Sequence, residues 1–219
     1  GYGPHLDVFM LDERSYRGAN GPNLQTTYGP DSYFLGPDQL SWLKRGLLNS
    51  RATWKVIASD MPLSLIVYDD AANRKGSEAF AQGNGPPRGR ELEIADLLRF
   101  VKDSGVVNTV WLTADVHYAA AHYYNPDKAQ FQEFDPFWEF VSGPLHAGTG
   151  RPNELDNTFG PEVRFIKAAR ADEPNLPPSA GLQFFGHVRI DGASGQMTVT
   201  LRDRADVALW STTLDPKQG

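Results

Sequence analysis

Cysteine is absent from the 219 residues, which excludes zinc fingers, iron–sulfur clusters, disulfide frameworks and thiol nucleophiles built from this chain. No segment approaches the roughly 18 consecutive apolar residues of a membrane-spanning helix. The first residues also lack the charged and apolar regions of a targeting peptide. The 21 lysines and arginines form no run and are outnumbered by 27 acidic residues, so we expect no binding to nucleic acid.

Several catalytic motifs are missing as well. The sequence contains no G-x-S-x-G nucleophile elbow, no G-x-x-x-x-G-K-[ST] phosphate loop, no G-x-G-x-x-G dinucleotide motif and no H-E-x-x-H helix. Metal-assisted chemistry is the enzyme class that remains.

Glycine and proline are plentiful, at 37 of the 219 residues, and they concentrate in predicted loops at 18–37, 83–89, 143–161 and 174–181. Between the loops, apolar spacing predicts strands at 6–11, 54–58 and 106–113 and helices at 37–49 and 91–102. Segments 183–191, 196–202 and 207–214 mix apolar and polar residues and predict an antiparallel meander. Because no polar linker separates the two parts, we predict one domain of helices and sheets.

The third predicted strand ends in a carboxylate and an imidazole, Asp115 and His117. In an extended segment, residues at i and i+2 project to the same side, so both side chains would converge on one point. Carboxylate and imidazole suit iron, manganese, zinc or calcium. The alternative is a helix-capping aspartate next to a half-buried histidine.

Other polar residues follow the first two strands. Arg14, beside Asp12, offers a guanidinium fork for phosphate oxygens, or a structural Asp–Arg pair. Asp60 closes the second strand, either facing the same sheet edge as Asp115 or capping a turn.

Two further sets of residues have weaker settings. Asn84 and Arg88 lie in a Gly/Pro-rich loop that either covers a site or is a solvated connection. His146 stands where the predicted strand at 137–141 enters a loop. We expect His5, His122 and His187 to serve packing or the surface.

Five blocks, in this order, resemble PhoD-like alkaline phosphatases and phosphodiesterases: LDERSYR at 11–17, GPDQLSWL at 36–43, WKVI at 54–57, WLTADVH at 111–117 and FWEFVSGP at 137–144. The resemblance implies an α+β fold of the calcineurin-like metallophosphatase type, with two β-sheets packed face to face and flanked by helices. The chain would be the C-terminal portion of one such domain, with a β/α part at 1–125 and a loop-rich antiparallel part at 126–219.

The resemblance also implies an activity, hydrolysis of phosphate mono- or diesters at a dinuclear metal site. Asp115 would bind calcium and His117 iron, with zinc or manganese as alternatives. Alanine stands at 114 where the family has glycine. Arg14 would contact the phosphate as a catalytic and substrate-binding residue, with Asn84 as a second substrate contact.

The remaining metal ligands of the family precede its first-strand motif. We therefore expect an N-terminal part of the same enzyme to complete the site and this chain to be inactive alone. An extracytoplasmic location follows by resemblance only. The alternatives are a non-catalytic β-sandwich binding or scaffold chain, including a degenerate homologue, and a zinc- or manganese-dependent nucleotidase of the same superfold.

Overall fold

The computed structural model describes residues 1–217, which form two α-helices and eleven strands. The helices are α1 (Gly36–Asn49) and α2 (Glu91–Asp103). The strands are β1 (Leu6–Met10), β2 (Trp54–Ala58), β3 (Tyr68–Asp70), β4 (Lys75–Ser77), β5 (Thr109–Thr113), β6 (Ala119–Tyr124), β7 (Phe137–Val141), β8 (Pro161–Lys167), β9 (Phe184–Ile190), β10 (Met197–Asp203) and β11 (Ala208–Leu214). In this described part, no helix is long and apolar enough to cross a membrane.

Six strands form the larger sheet, in the order β1-β2-β5-β7-β6-β8. The first four run parallel, whereas β6 and β8 are antiparallel to their neighbours. The apolar runs of β2 and β5 suit a sheet that is covered on both faces. The parallel order brings the carboxyl ends of four strands to one edge of the sheet, which is where open α/β sheets bind ligands.

Alternate residues of the larger sheet face two different layers. Trp54 and Val56 of β2 pack against Val199 and Leu201 of the second sheet, while Ile57, the next residue of the strand, packs with the helices. The second sheet is the antiparallel meander β9-β10-β11, with β10 in the centre. The predicted α+β class, with two facing sheets and helices outside, is confirmed.

Both helices cover the same face of the larger sheet. In α1, Leu40, Leu43 and Leu47 recur at three- and four-residue steps and are buried, which matches the predicted amphipathic helix. The start of α1 is held by Glu93 of α2, whose carboxylate accepts the backbone N–H groups of residues 34–36 at 2.7–3.0 Å. A buried carboxylate thus satisfies N–H groups that a helix start leaves without partners.

Several strands were not anticipated from the sequence. The β3–β4 hairpin lies in a stretch where no element was predicted, and β8 begins where a predicted loop ends. Strand β6 begins with three alanines, which have little β preference. The predicted strand at 106–113 is shorter, because Asn108 adopts a left-handed φ of 60° and β5 starts at Thr109. The first strand likewise ends at Met10 instead of residue 11.

Candidate active site

The loops that follow the four parallel strands remain hydrogen-bonded to one another beyond the strand ends. The backbone N–H groups of Leu11, Ser59, Ala114 and Ser142 each donate to a carbonyl of a neighbouring strand or loop at 2.9–3.0 Å. One of these bonds joins the Ala114 N–H to the Asp60 carbonyl. The loops after β1, β2, β5 and β7 therefore form one connected surface.

Asp115 and His117 lie on this surface, but their backbone is not extended as we expected. Their φ angles are 62° and 61°, in the left-handed region, and β5 ends before them at Thr113. Each left-handed residue other than glycine costs roughly 1–2 kcal/mol, and such conformations cluster at functional sites. A tight loop holds the two side chains beside each other. The expectation of an extended strand at these residues was therefore wrong, and their role as metal ligands stays a prediction.

The surroundings of Asp115 favour a cation. The side chain is half-buried, and burial is the main cause that raises the pKa of this carboxyl. The negative charges of Asp60 and Glu78 raise its pKa further, and only Arg14 and His117 oppose them. A bound cation would relieve this surplus of negative charge.

The site contains an oxygen and a nitrogen donor that can bind a metal ion, but only these two come from the described residues. His117 is exposed and presents its imidazole beside Asp115 in a shallow depression of about 300 Å³. Among residues 1–217, no three side chains of the histidine, cysteine, aspartate or glutamate type converge to hold a metal ion. Asp115 and His117 thus fit part of a metal site.

The wall of this depression is built on Gly150. The Gly150 N–H donates to the His117 carbonyl at 2.8 Å, and a side-chain Cβ at this position would lie 2.1 Å from the Val116 oxygen. Only glycine allows this close approach. The next residue, Arg151, is exposed and lines the depression, so it brings a cationic side chain that sequence reasoning had missed.

Arg14 lies on the same edge but its partner differs from our expectation. Its Nη2 atom is 3.5 Å from Asp60 Oδ2, and both side chains are at least half exposed. Asp12 does not pair with the guanidinium. Its Oδ1 atom instead accepts the backbone N–H groups of Arg14 and Ser15 at 2.9 and 2.8 Å, and hydrogen bonds from Ser15 lower the pKa of Asp12.

A buried carboxylate, Glu13, stands behind Arg14 and was not singled out from the sequence. It is 3% exposed and accepts hydrogen bonds from the Ser59 hydroxyl and from the Met61 N–H at 2.9 Å. Burial raises the pKa of Glu13 to about 7. No periodicity distinguishes a buried glutamate from an exposed one within the run Asp12-Glu13-Arg14, so this residue needed the tertiary structure.

Glu78 was also missed, whereas Arg17 belongs with Arg14 to the arginines that follow the first strand. Glu78 is half-buried in the loop after β4 and adds negative charge near Asp115. The guanidinium of Arg17 donates to the Glu78 carbonyl at 3.3 Å and stacks 4.7 Å from the Phe34 ring centroid. The hairpin that carries Glu78 was itself unpredicted, which is why no sequence signal pointed to it.

The structure places the other candidates apart from Asp115. Asn84 is exposed, and its Oδ1 atom accepts the Asn157 N–H at 2.9 Å. In the described part of the chain it does not line the depression of Asp115 and His117, so its substrate contact stays a prediction. His146 is exposed in the loop after β7.

The remaining histidines have structural settings. His122 is 1% exposed, and its Nδ1 atom lies 2.8 Å from Glu139 Oε2 in the interior. His5 shares a 3.0 Å hydrogen bond with the Thr53 hydroxyl, and His187 is exposed on β9. These placements agree with the expected packing and surface roles.

Three comparisons relate the chain to known proteins. The model of the family described as PhoD-like phosphatase matches residues 1–201. Alkaline phosphatase D of Bacillus subtilis (strain 168) is 30% identical over 122 residues, which cover 53% of this chain and 20% of that protein. A solved structure titled "Structure of PhoD" aligns with a TM-score of 0.57 at 16% identity, over 98% of this chain and 39% of that one. The chain thus spans about a fifth of the curated relative and about two fifths of the solved structure.

Proposed function

We propose, because the chain belongs to the PhoD-like phosphatase family, that the enzyme containing these residues hydrolyses phosphate mono- and diesters at a metal-dependent site. The observation that carries the proposal is the position of Asp115 and His117. They lie at the carboxyl edge of four parallel strands, where the charges of Asp60, Glu78 and Arg14 act on Asp115.

Asp115 and His117 would hold divalent or trivalent cations, with calcium at the carboxylate and iron at the imidazole, and zinc or manganese as alternatives. When bound, such cations supply a Lewis acid for the phosphate oxygens and lower the pKa of a bound water. The imidazole of His117 must be neutral to bind, so mild acid would release its metal.

The chain's own residues bind and orient the phosphate. Arg14 is at least half exposed and is linked to Asp60 at 3.5 Å, so its fork can leave this weak surface pair for a phosphate oxygen. Arg151, which lines the depression of Asp115 and His117, offers a second cationic contact. Two guanidinium groups would fix the orientation of a tetrahedral substrate better than one.

A segment outside these 219 residues would supply the other metal ligands. Two donors at Asp115 and His117 are too few for two metals, and the chain spans only part of its relatives. The larger sheet ends at β1, whose outer side has no strand partner within residues 1–217. We therefore infer that the isolated chain is inactive. We also propose, from the family resemblance, that the enzyme acts outside the cytoplasm, which cell fractionation can check.

The test uses the full-length protein and the 219-residue chain side by side. Metal content is measured by elemental analysis, and turnover is measured on phosphate monoester and diester substrates. We expect two metals and metal-dependent turnover in the full-length protein, with neither in the isolated chain. A full-length protein that binds no metal and turns over no ester would instead favour the scaffold alternative. Metal-dependent turnover by the isolated chain would overturn the proposed completion.

A further inference from the structure

Among the residues described, Glu13 is the only ionisable side chain of the loop after β1 that is buried. It is 3% exposed, although its neighbours Asp12 and Arg14 are both exposed. Burying a carboxyl group is costly unless hydrogen bonds satisfy it. Its burial therefore indicates that hydrogen bonds to the loop after β2 compensate for the loss of water contacts.

The partners of Glu13 flank Asp60 on both sides. The Ser59 hydroxyl donates to one carboxylate oxygen of Glu13, and the Met61 N–H donates to the other at 2.9 Å. The Asp60 carbonyl between them accepts the Ala114 N–H at 3.0 Å, directly before Asp115. Glu13 thus joins the loops after β1 and β2 at the point where the loop after β5 is attached.

Arg14 completes the connection, because it follows Glu13 in the chain and reaches Asp60 through its guanidinium. We propose that Glu13 is a positioning residue that sets the Arg14 guanidinium relative to Asp115 for phosphate binding. This inference rests on the proposed ester hydrolysis. Glu13 itself touches no substrate and acts through the loop of Asp60 and through its own neighbour.

The hydrogen bonds also decide which variant preserves the contact. The Ser59 hydroxyl lies 2.8 Å from the Met61 carbonyl and can donate there. In Glu13→Gln, the side-chain NH₂ can then donate to Ser59 Oγ while its carbonyl accepts the Met61 N–H. Glutamine therefore keeps both contacts, whereas Glu13→Ala loses both.

The experiment measures KM and kcat of the full-length enzyme on a phosphate monoester. We expect Glu13→Ala to raise KM about tenfold, the loss expected when a charge-assisted hydrogen bond to phosphate is misplaced. Glu13→Gln should stay within about twofold of wild type. Val199→Ala, a buried residue of β10 far from this edge, is a control that lowers stability without changing KM.

A double-mutant cycle separates positioning from a general structural role. In an Arg14→Ala background, Glu13→Ala should no longer raise KM, because its effect passes through the guanidinium. An equal rise of KM in both backgrounds, or an unchanged KM in Glu13→Ala, would overturn the proposal.

Hydrogen exchange keeps the inference testable if the full-length protein shows no ester hydrolysis. The Met61 and Ala114 amides should exchange faster in Glu13→Ala than in Glu13→Gln, since both amides belong to the connected loops. If the full-length protein hydrolyses no ester but the amides exchange faster in Glu13→Ala, the proposed function is refuted and the positioning role of Glu13 is not. Unchanged exchange in Glu13→Ala would refute the positioning role.

Discussion

Replacing Gly150 by alanine should disable the candidate site without unfolding the protein. The added Cβ would lie 2.1 Å from the Val116 oxygen and 3.3 Å from the His117 Cβ. Real Cβ atoms essentially never come closer than 3.0 Å to another heavy atom, so the two backbones must separate by about 0.9 Å. The Val116 oxygen belongs to main chain and cannot move aside as a flexible side chain would.

That displacement acts directly on the loop between Asp115 and His117, and it stretches the 2.8 Å hydrogen bond from Gly150 to the His117 carbonyl. A misplacement of about 1 Å in a reacting group costs on the order of 10²-fold in rate. Overpacking of this kind lowers stability by about 1–3 kcal/mol, which a folded domain of this size tolerates. We therefore expect a folded protein with kcat/KM reduced on the order of 10²-fold.

The assay compares turnover and thermal unfolding of the full-length enzyme with those of a matched glycine variant. Gly192→Ala is suitable, because a Cβ there meets nothing within 4 Å in the turn before β10. It should keep wild-type turnover. If Gly150→Ala retained turnover within about twofold of Gly192→Ala, the close approach of Gly150 to the loop of Asp115 and His117 would not matter for activity. The assignment of the site to this loop would then lose its geometric basis.

Three further predictions concern single residues. Asp115→Asn should lower turnover by orders of magnitude, because asparagine lacks the charge that binds a cation. The unfolding temperature should not change, because asparagine tolerates the left-handed φ of 62°. Wild-type turnover at low metal concentration would contradict this prediction. His117→Ala should reduce transition-metal content more than calcium content by elemental analysis, whereas equal losses would argue against separate donors. For Glu13, burial raises the folded pKa to about 7, above the unfolded value of about 4.3. Between these pH values the unfolded chain releases a proton that the folded protein keeps. The free energy of unfolding therefore falls by about 3 kcal/mol as pH rises from 5 to 8. In urea unfolding, the free energy of unfolding of Glu13→Gln should not show this fall with pH. An equal pH dependence in wild type and Glu13→Gln would refute the assignment of the effect to Glu13.

Periodic sequence signals located the elements that bury a regular apolar face. The helix at Gly36–Asn49 and the strand at Trp54–Ala58 were found to within a residue, and the C-terminal meander was recognised from its turns. The sequence did not predict strands that are stabilised mainly by pairing with neighbouring strands. In β8, exposed and charged residues along a sheet edge leave no alternating pattern to detect.

The residues of the candidate site also fall into those that the sequence identified and those that only the structure showed. Asp115, His117 and Arg14 were identifiable because their motifs follow strands in a recognisable order. Glu13, Glu78 and their contacts were not, since burial and Coulomb interactions depend on which loops meet in space.

The sequence by itself therefore determined the family, the α+β class and the strand ends at which we propose the site, because local periodicity and short motifs encode these directly. Tertiary structure alone decided that Arg14 pairs with Asp60 instead of Asp12. It also decided that Asp115 and His117 are brought together by left-handed backbone supported by Gly150. The physical reason is that partner choice and backbone strain are set by close packing between segments distant in the chain, which no local pattern records.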